Sequence, residues 1–216
     1  MLSWVVAAFI FISFLITTVI LLKEADSFVQ DNQNASTIQV VIVVLGICYL
    51  IAFSNMIIWT ALVTGSDPTD PTVHLERLWR QAKENKMAEP KFNPNDYSFY
   101  CDACDTHVLK NTKHCQRCNR CAYEFDHHCV WVSNDIGLHN YIDFMRMLTA
   151  VMCTILFQLS ICSYTISLVN NIPGDVQLVT MTNNGLRVLN CVTLATLIIL
   201  FFLDFYLLTF HIHLIR

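Results

Sequence analysis

Apolar and polar positions fall into long blocks along this chain. Residues 1–22 carry no charged side chain. A run of about 20 apolar residues can cross the hydrocarbon core of a bilayer as a helix. A signal peptide would show a charged start, a shorter apolar core and a small-residue cleavage site, and none of these is clear, so the block reads as a retained span. A second block covers residues 38–63, with Asn55 as its one strongly polar side chain, expected to hydrogen-bond a neighbouring helix. A third runs from about Phe144 to Val169, and a fourth from about Val188 to Ile215 with Asp204 inside it. Asp204 is expected to serve helix packing, and His211 and His213 at the exit receive no role. The polar loop Lys23–Thr37 contains Asn34-Ala35-Ser36, a glycosylation acceptor pattern if it faces a lumen. Thr64–Thr72 is rich in helix breakers, and residues 73–89 then space Val73, Leu75, Leu78, Trp79 and Ala82 as a short amphipathic helix does. That helix serves as a connector or lies at the headgroup level. Pro173, Gly174 and Gly185 predict a loop between the last two blocks.

Composition agrees with the blocks. The chain is 55% hydrophobic and 14% charged over 216 residues, where a soluble domain carries about 25% charged residues. The expected architecture is mainly α: a polytopic membrane protein with four transmembrane helices and a cysteine-rich two-zinc domain between helices 2 and 3. Residues 1–63 hold the first two helices and a short lumenal loop, 64–143 the central loop (zinc domain about 99–141), and 144–216 the last two helices. Of the 13 Lys and Arg residues, nine lie between the second and third spans. The positive-inside rule places that loop and both termini in the cytosol, where thiols stay reduced and suit metal binding rather than disulfides. An endomembrane (Golgi or ER) or the plasma membrane is the expected location. A net charge of −4 gives no case for nucleic acid as a partner.

Six of the ten cysteines fall between Cys101 and Cys129. The spacing is Cys101-x2-Cys104-x9-His114-Cys115-x2-Cys118-x2-Cys121-x4-Asp126-His127-His128-Cys129-x5-Asp135. Cysteines two apart let one tight turn aim both thiolates at a tetrahedral ion, which makes the signal for zinc strong. A region this poor in apolar residues would draw its folding energy from the metal. Two closed sites need eight ligands, and ten candidates compete: Cys101, Cys104, His114, Cys115, Cys118, Cys121, His127, His128, Cys129 and Asp135. Spacing alone does not choose among them. If the chain is extended through 127–129, His127 and Cys129 project to one side and His128 to the other. A cysteine beside a histidine is the basic unit of a thiolate nucleophile, and Asp126 is placed to hold the imidazole tautomer. The plain alternative is that Cys129 is one more ligand.

At Asp126-His127-His128-Cys129 the sequence resembles the DHHC-type protein S-acyltransferases, or palmitoyltransferases. The likeness takes in the whole cysteine-rich stretch, including His114-Cys115 and the Gly137–Tyr141 tail, and the order of two spans, a zinc domain and two more spans. It implies that Cys129 is the nucleophile, accepting a long-chain fatty acyl group, palmitoyl above all, from acyl-CoA as a thioester. It implies His127 as the base, oriented by Asp126, and His128 as a zinc ligand. One structural Zn2+ would be held by Cys101, Cys104, His114 and Cys121, the other by Cys115, Cys118, His128 and the residue at 135. The acyl group would pass to cysteines of cytosol-facing or membrane-associated proteins beside the lipid bilayer. The family usually has cysteine where Asp135 stands, Asp-Pro-Gly where Asp67-Pro68-Thr69 stands, and proline where Val130 stands. Its Thr-Thr-x-Glu motif follows the fourth span, beyond Arg216. Asp135 and that motif count against full activity, and the rival reading is a membrane-tethered zinc module acting as an adaptor. A RING-type ligase would need a longer stretch between ligand pairs. Thr154 in span three is a candidate for setting the depth of the acyl cavity.

Overall fold

The computed structural model describes residues 5, 7–18, 35–170 and 177–214. The chain divides into two compact units, Thr60–Phe144 and, separately, Ser3–Trp59 with Met145–Arg216.

The second unit is helical. It contains α1 (Ala7–Thr18), the larger part of α2 (Ala35–Gly65), most of α4 (Tyr141–Asn170) and α5 (Gln177–Leu214). Among the described residues, three stretches, Gln39–Gly65, Tyr141–Ser167 and Cys191–His213, are long and apolar enough to cross a membrane. The first expected span is described only at residue 5 and as the shorter apolar helix α1; the other residues of 1–22 lie outside the described residues, as does Asn34 of the acceptor pattern. Ile10, Phe14, Ile42, Tyr49, Ile155, Ile161, Cys162 and Leu197 form a buried cluster. Phe14 stacks on Tyr49 with ring centroids 4.0 Å apart, and Phe11 on Phe53 at 4.9 Å. Many other large apolar side chains of α2 and α5, Val43, Ile51, Ile199 and Phe202 among them, face outward, the arrangement of helices whose solvent is lipid.

Several hydroxyl groups in these helices bond their own backbone. Thr154 donates to the Ala150 carbonyl at 2.8 Å and Thr165 to Ile161 at 2.7 Å. Such i−4 bonds satisfy a polar group where no water is available. Asn55 does the same, donating to Ile51 at 2.9 Å within its own helix, so the expected bond to a neighbouring helix is corrected. Gly185 also departs from expectation, lying inside α5 rather than in a loop. A single glycine costs a helix about 1 kcal/mol relative to alanine, which does not end a helix of this length.

The first unit contains α3 (Pro71–Glu84) and six three-residue strands: β1 (Phe99–Cys101), β2 (Thr106–Val108), β3 (Lys113–Cys115), β4 (Arg120–Ala122), β5 (His127–Cys129) and β6 (Asn134–Ile136). They pair as three separate antiparallel hairpins. Pro71 opens α3 from within the breaker stretch, because proline is tolerated in the first helical turn. The helix ends at Glu84, short of the expected residue 89. It faces β2 with Thr72, Val73 and Glu76, while Leu78 points outward. Val73, Val108 and Cys121 make the small apolar core there, with Cys101 and Cys104 packed on it.

Buried carboxylates do much of the joining. Asp70 caps α3 by accepting from the Thr72 N–H at 2.8 Å, and its other oxygen accepts from the Leu109 N–H at 2.7 Å and the Thr112 hydroxyl at 2.6 Å. Glu76 accepts from the His107 N–H at 2.6 Å and from Arg80 at 2.7 Å. Gly137 lies where an added Cβ would meet the Tyr123 carbonyl oxygen at 2.7 Å, so a side chain there would force the backbone apart.

Candidate active site and metal clusters

The three hairpins repeat one local geometry. In each, a cysteine ends the first strand and pairs across the ladder with the first residue of the second: Cys101 with Thr106, Cys115 with Arg120, Cys129 with Asn134. A four-residue turn separates them, and its last residue is left-handed: Asp105 at φ 50°, Asn119 at φ 49°, Ser133 at φ 52°. A left-handed residue closes so short a turn, and Asn and Asp tolerate that conformation better than most. The leading cysteines recur every 14 residues, as do Cys104 and Cys118, His114 and His128, and Cys121 and Asp135. The chain therefore writes one ligand set twice. It begins a third at Cys129, where Val132 stands in the place of Cys104 and Cys118.

The hairpins assemble two groups of side chains that could each hold a metal ion. Ligand atoms of Cys101, Cys104, His114 and Cys121 lie within 4.8 Å of one another, as do those of Cys115, Cys118, His128 and Asp135. In the first group Cys104 Sγ is 3.2 Å from His114 Nδ1 and 3.4 Å from Cys121 Sγ. In the second, His128 Nδ1 is 3.3 Å from Cys118 Sγ, 3.8 Å from Cys115 Sγ and 2.8 Å from Asp135 Oδ1. Tetrahedral zinc with bonds of about 2.3 Å to sulfur and about 2.0 Å to nitrogen would set such donors roughly 3.3–3.8 Å apart. The donor types and spacings fit zinc with little movement. Buried Asp135 is held below the usual carboxylate range: burial opposes this, but hydrogen bonds from Cys115, His128 and Cys118 and the charge of Arg120 outweigh it.

Strand β5 sorts its residues by side. His128 points into the second cluster, while His127 acts on the Cys129 thiol. Asp126 Oδ2 lies 2.9 Å from His127 Nδ1. The hydrogen bond with Cys129 raises the imidazole pKa, burial works against it, and the bond to Asp126 adds to the rise. Cys129 itself is buried, which alone would raise its pKa. The hydrogen bond with His127 and the backbone N–H groups of Val132 and Trp131 bring it below the ordinary thiol value. The opposed shifts, thiol down and imidazole up, are the direction in which a cysteine–histidine pair favours proton transfer from sulfur to ring.

Some contributors are absent from the sequence expectations. Phe144, fully buried in the first turn of α4, sets its ring edge-on to His127 with centroids 5.4 Å apart. The Trp131 and Val132 amides act through the backbone, which side-chain reasoning does not see. Their counterparts in the first hairpin, the amides of Ala103 and Cys104, hydrogen-bond Cys101 in the same way. The 14-residue recurrence was the available signal for them.

Residues 94–216 match the family model described as DHHC palmitoyltransferase. Among curated proteins, the chain is 36% identical over 110 residues to "Palmitoyltransferase ZDHHC4" of Bos taurus, covering 49% of this chain and 30% of that protein. It is 38% identical over 72 residues to "Palmitoyltransferase SWF1" of Saccharomyces cerevisiae, covering 31% and 21%. It is 40% identical over 67 residues to "Palmitoyltransferase ZDHHC17" of Danio rerio, covering 31% and 11%. The matched stretches thus span less than a third of these relatives' own length. The family match takes in more than half of this chain and the whole of both clusters and the Asp-His-Cys group, and the chain belongs to the DHHC palmitoyltransferase family.

Proposed function

We propose that this chain transfers long-chain fatty acyl groups from acyl-CoA to protein cysteines at a membrane surface, through a thioester on Cys129. The observation that carries this reading is the Asp126–His127 pair, 2.9 Å apart, with His127 acting on the Cys129 thiol, beside two four-donor clusters that are complete without Cys129. Relatives named palmitoyltransferase support the reaction class.

In this scheme His127 takes the Cys129 proton and the sulfur attacks the acyl-CoA thioester carbonyl. The carbonyl–sulfur bond to CoA breaks, and the proton on His127 goes to the departing CoA thiolate. A substrate cysteine then gives its proton to His127 and attacks the Cys129 thioester, and Cys129 leaves as the thiolate and regains the proton. Asp126 keeps the imidazole oriented in both halves, as a third group does in other triads. Cys101, Cys104, His114 and Cys121 hold one zinc, and Cys115, Cys118, His128 and Asp135 the other. Bound zinc supplies cross-links between hairpins that have almost no apolar core. Four spans, with the zinc domain and both termini in the cytosol of an endomembrane or plasma membrane, complete the proposal, and the charge asymmetry of the loops supports it. Acceptor proteins carry cysteines near the bilayer, and Thr154 contributes to chain-length preference.

The test is incubation of the detergent-solubilised, zinc-loaded chain with alkyne-tagged palmitoyl-CoA. The expected result is a label that hydroxylamine removes and that Cys129→Ser lacks. No label on a folded, zinc-loaded chain would favour the adaptor, the reading that Asp135 in place of cysteine supports.

A further inference from the structure

The two clusters differ at one donor, and that difference has a neighbour built around it. Cys121 in the first cluster corresponds to Asp135 in the second, 14 residues on. Asp135 is fully buried. Its Oδ1 faces His128 at 2.8 Å and lies with the cluster's other donors. Its Oδ2 is directed the other way, 3.4 Å from Arg120 Nε. Neither Oδ2 nor Arg120 Nε has a hydrogen-bond partner at these distances, although both are buried. Two buried, opposite charges left this close gain by tightening onto each other once Oδ1 is drawn to a cation.

Arg120 is itself fixed. Its Nη2 donates to Asn134 Oδ1 at 2.7 Å and its Nη1 to Asp67 Oδ1 at 3.3 Å. Asn134 in turn donates to the Val63 and Ser66 carbonyls at 2.8 and 2.9 Å, where α2 ends. At the matching place of the first hairpin stands Thr106, which has no charge, and its hydroxyl bonds the His107 carbonyl. At this register position the guanidinium stands beside the cluster that carries a carboxylate, and an uncharged hydroxyl beside the one that does not. Three thiolates and a histidine around Zn2+ leave one negative charge on the first cluster. Two thiolates, a carboxylate and a histidine leave the same charge on the second, and Arg120 cancels it.

We propose that the second cluster is a carboxylate-containing, exchangeable divalent-metal site in which Arg120 holds the outer oxygen of Asp135, and that its occupancy decides whether Cys129 can be acylated. This deepens the acyltransferase reading and rests on it for the second clause. Thiolate is the softer ligand and holds zinc more firmly than carboxylate oxygen, so metal leaves the second cluster first. His128 sits between His127 and Cys129 on a three-residue strand, so whatever fixes or frees His128 moves both reacting groups. Arg120 is a positioning residue, acting through Asp135.

The experiment follows zinc release from the full chain into a chromogenic chelator, with Cys129 acylation sampled in parallel. Two equivalents are expected, one leaving first, with acylation lost alongside it. Asp135→Cys should bring both equivalents into one slow phase. In the cobalt-loaded protein the same change should strengthen the thiolate-to-metal absorption. Arg120→Gln should lower affinity at the second site by about 10- to 100-fold, the effect of removing an outer-shell partner, with Arg120→Lys recovering part of it. A single release phase in the unmodified chain, or cobalt spectra indifferent to Asp135→Cys, would overturn the site. Acylation that outlasts the first equivalent would overturn the control. Two-phase release from a chain that never takes acyl label leaves the metal site standing and removes the acyltransferase reading instead.

Discussion

The first two hairpins carry a cysteine at both ends of the metal-binding turn, whereas the third carries Cys129 at one end and Val132 at the other. The backbones are alike, down to the left-handed residue that closes each turn. In the first hairpin the amides at the third and fourth places lower the pKa of the leading thiol, and in the third they lower that of Cys129. The comparison shows one turn shape used twice within the four-donor clusters and once to hold a cysteine that neither cluster includes. The turn directs backbone N–H groups toward its leading sulfur, which favours loss of the thiol proton. Without a second thiol there is less to draw the sulfur into metal coordination, and His127 occupies the space at its side.

The largest effect that tests this comparison is removal of metal. The apolar cluster between α3 and the hairpins is small, Val73, Val108 and Cys121 with Cys101 and Cys104 packed on it, and structural zinc sites contribute about 10–16 kcal/mol to folding in small zinc peptides. Chelation should expose the amides of β1–β6 to hydrogen exchange while those of α4 and α5 stay protected. Cys121→Ala should act in the same direction by opening the first cluster. Equal protection of the strands with and without metal would show that the hairpins stand without their cross-links, and the likeness of the third to the others would lose its meaning.

Much of this was readable in the sequence because metal ligands are recognised by residue type and spacing. The Cys-x2-Cys pairs announced the turns, and the alternation along His127-His128-Cys129 announced which side each would face. Asp135 could be picked out because it stands at ligand spacing. The attachments were not readable. Glu76 sits on the helix face expected to be apolar, because its carboxylate meets the His107 N–H and Arg80. Arg120 counted only as one of nine basic residues in the loop, because its partners Asp67, Asn134 and Asp135 come from separate places in the chain. Long-range polar contacts leave no period. Asn55 misled for the opposite reason: a polar side chain in an apolar helix suggests a neighbour, but its own backbone four residues back was closer.

The next effect in size comes from restoring the missing ligand. Val132→Cys would give the third hairpin the Cys-x2-Cys turn of the other two. Under reducing, zinc-replete conditions it should bind additional zinc, and Cys129 should react with iodoacetamide and with tagged palmitoyl-CoA more slowly than in the Val132→Ser control. The control changes polarity at the same buried place without offering a thiolate. If Val132→Cys keeps two equivalents of zinc and labels as fast as Val132→Ser, the third hairpin is not a knuckle lacking a ligand, and its shape has another origin.

The smallest effect separates the turns by their closing residue. A left-handed conformation costs an ordinary residue roughly 1–2 kcal/mol, and Asn less, because its short amide can bond the local backbone. Glycine adopts it freely but loses about 0.5–1 kcal/mol in added chain entropy. Asn119→Gly should therefore leave the second hairpin near its present stability. Ser133, at φ 52°, bears more of the strain, and Ser133→Gly should stabilise the third hairpin by up to about 1 kcal/mol. Hydrogen exchange at the β5 and β6 amides of the zinc-loaded chain would register the difference. Equal effects at the two positions would mean that the serine is as comfortable there as the asparagine, and that the turn holding Cys129 is no more strained than the one holding Cys115. Slower exchange only in Ser133→Gly would place that strain beside Cys129, in the one hairpin whose leading sulfur the proposed chemistry leaves free of metal.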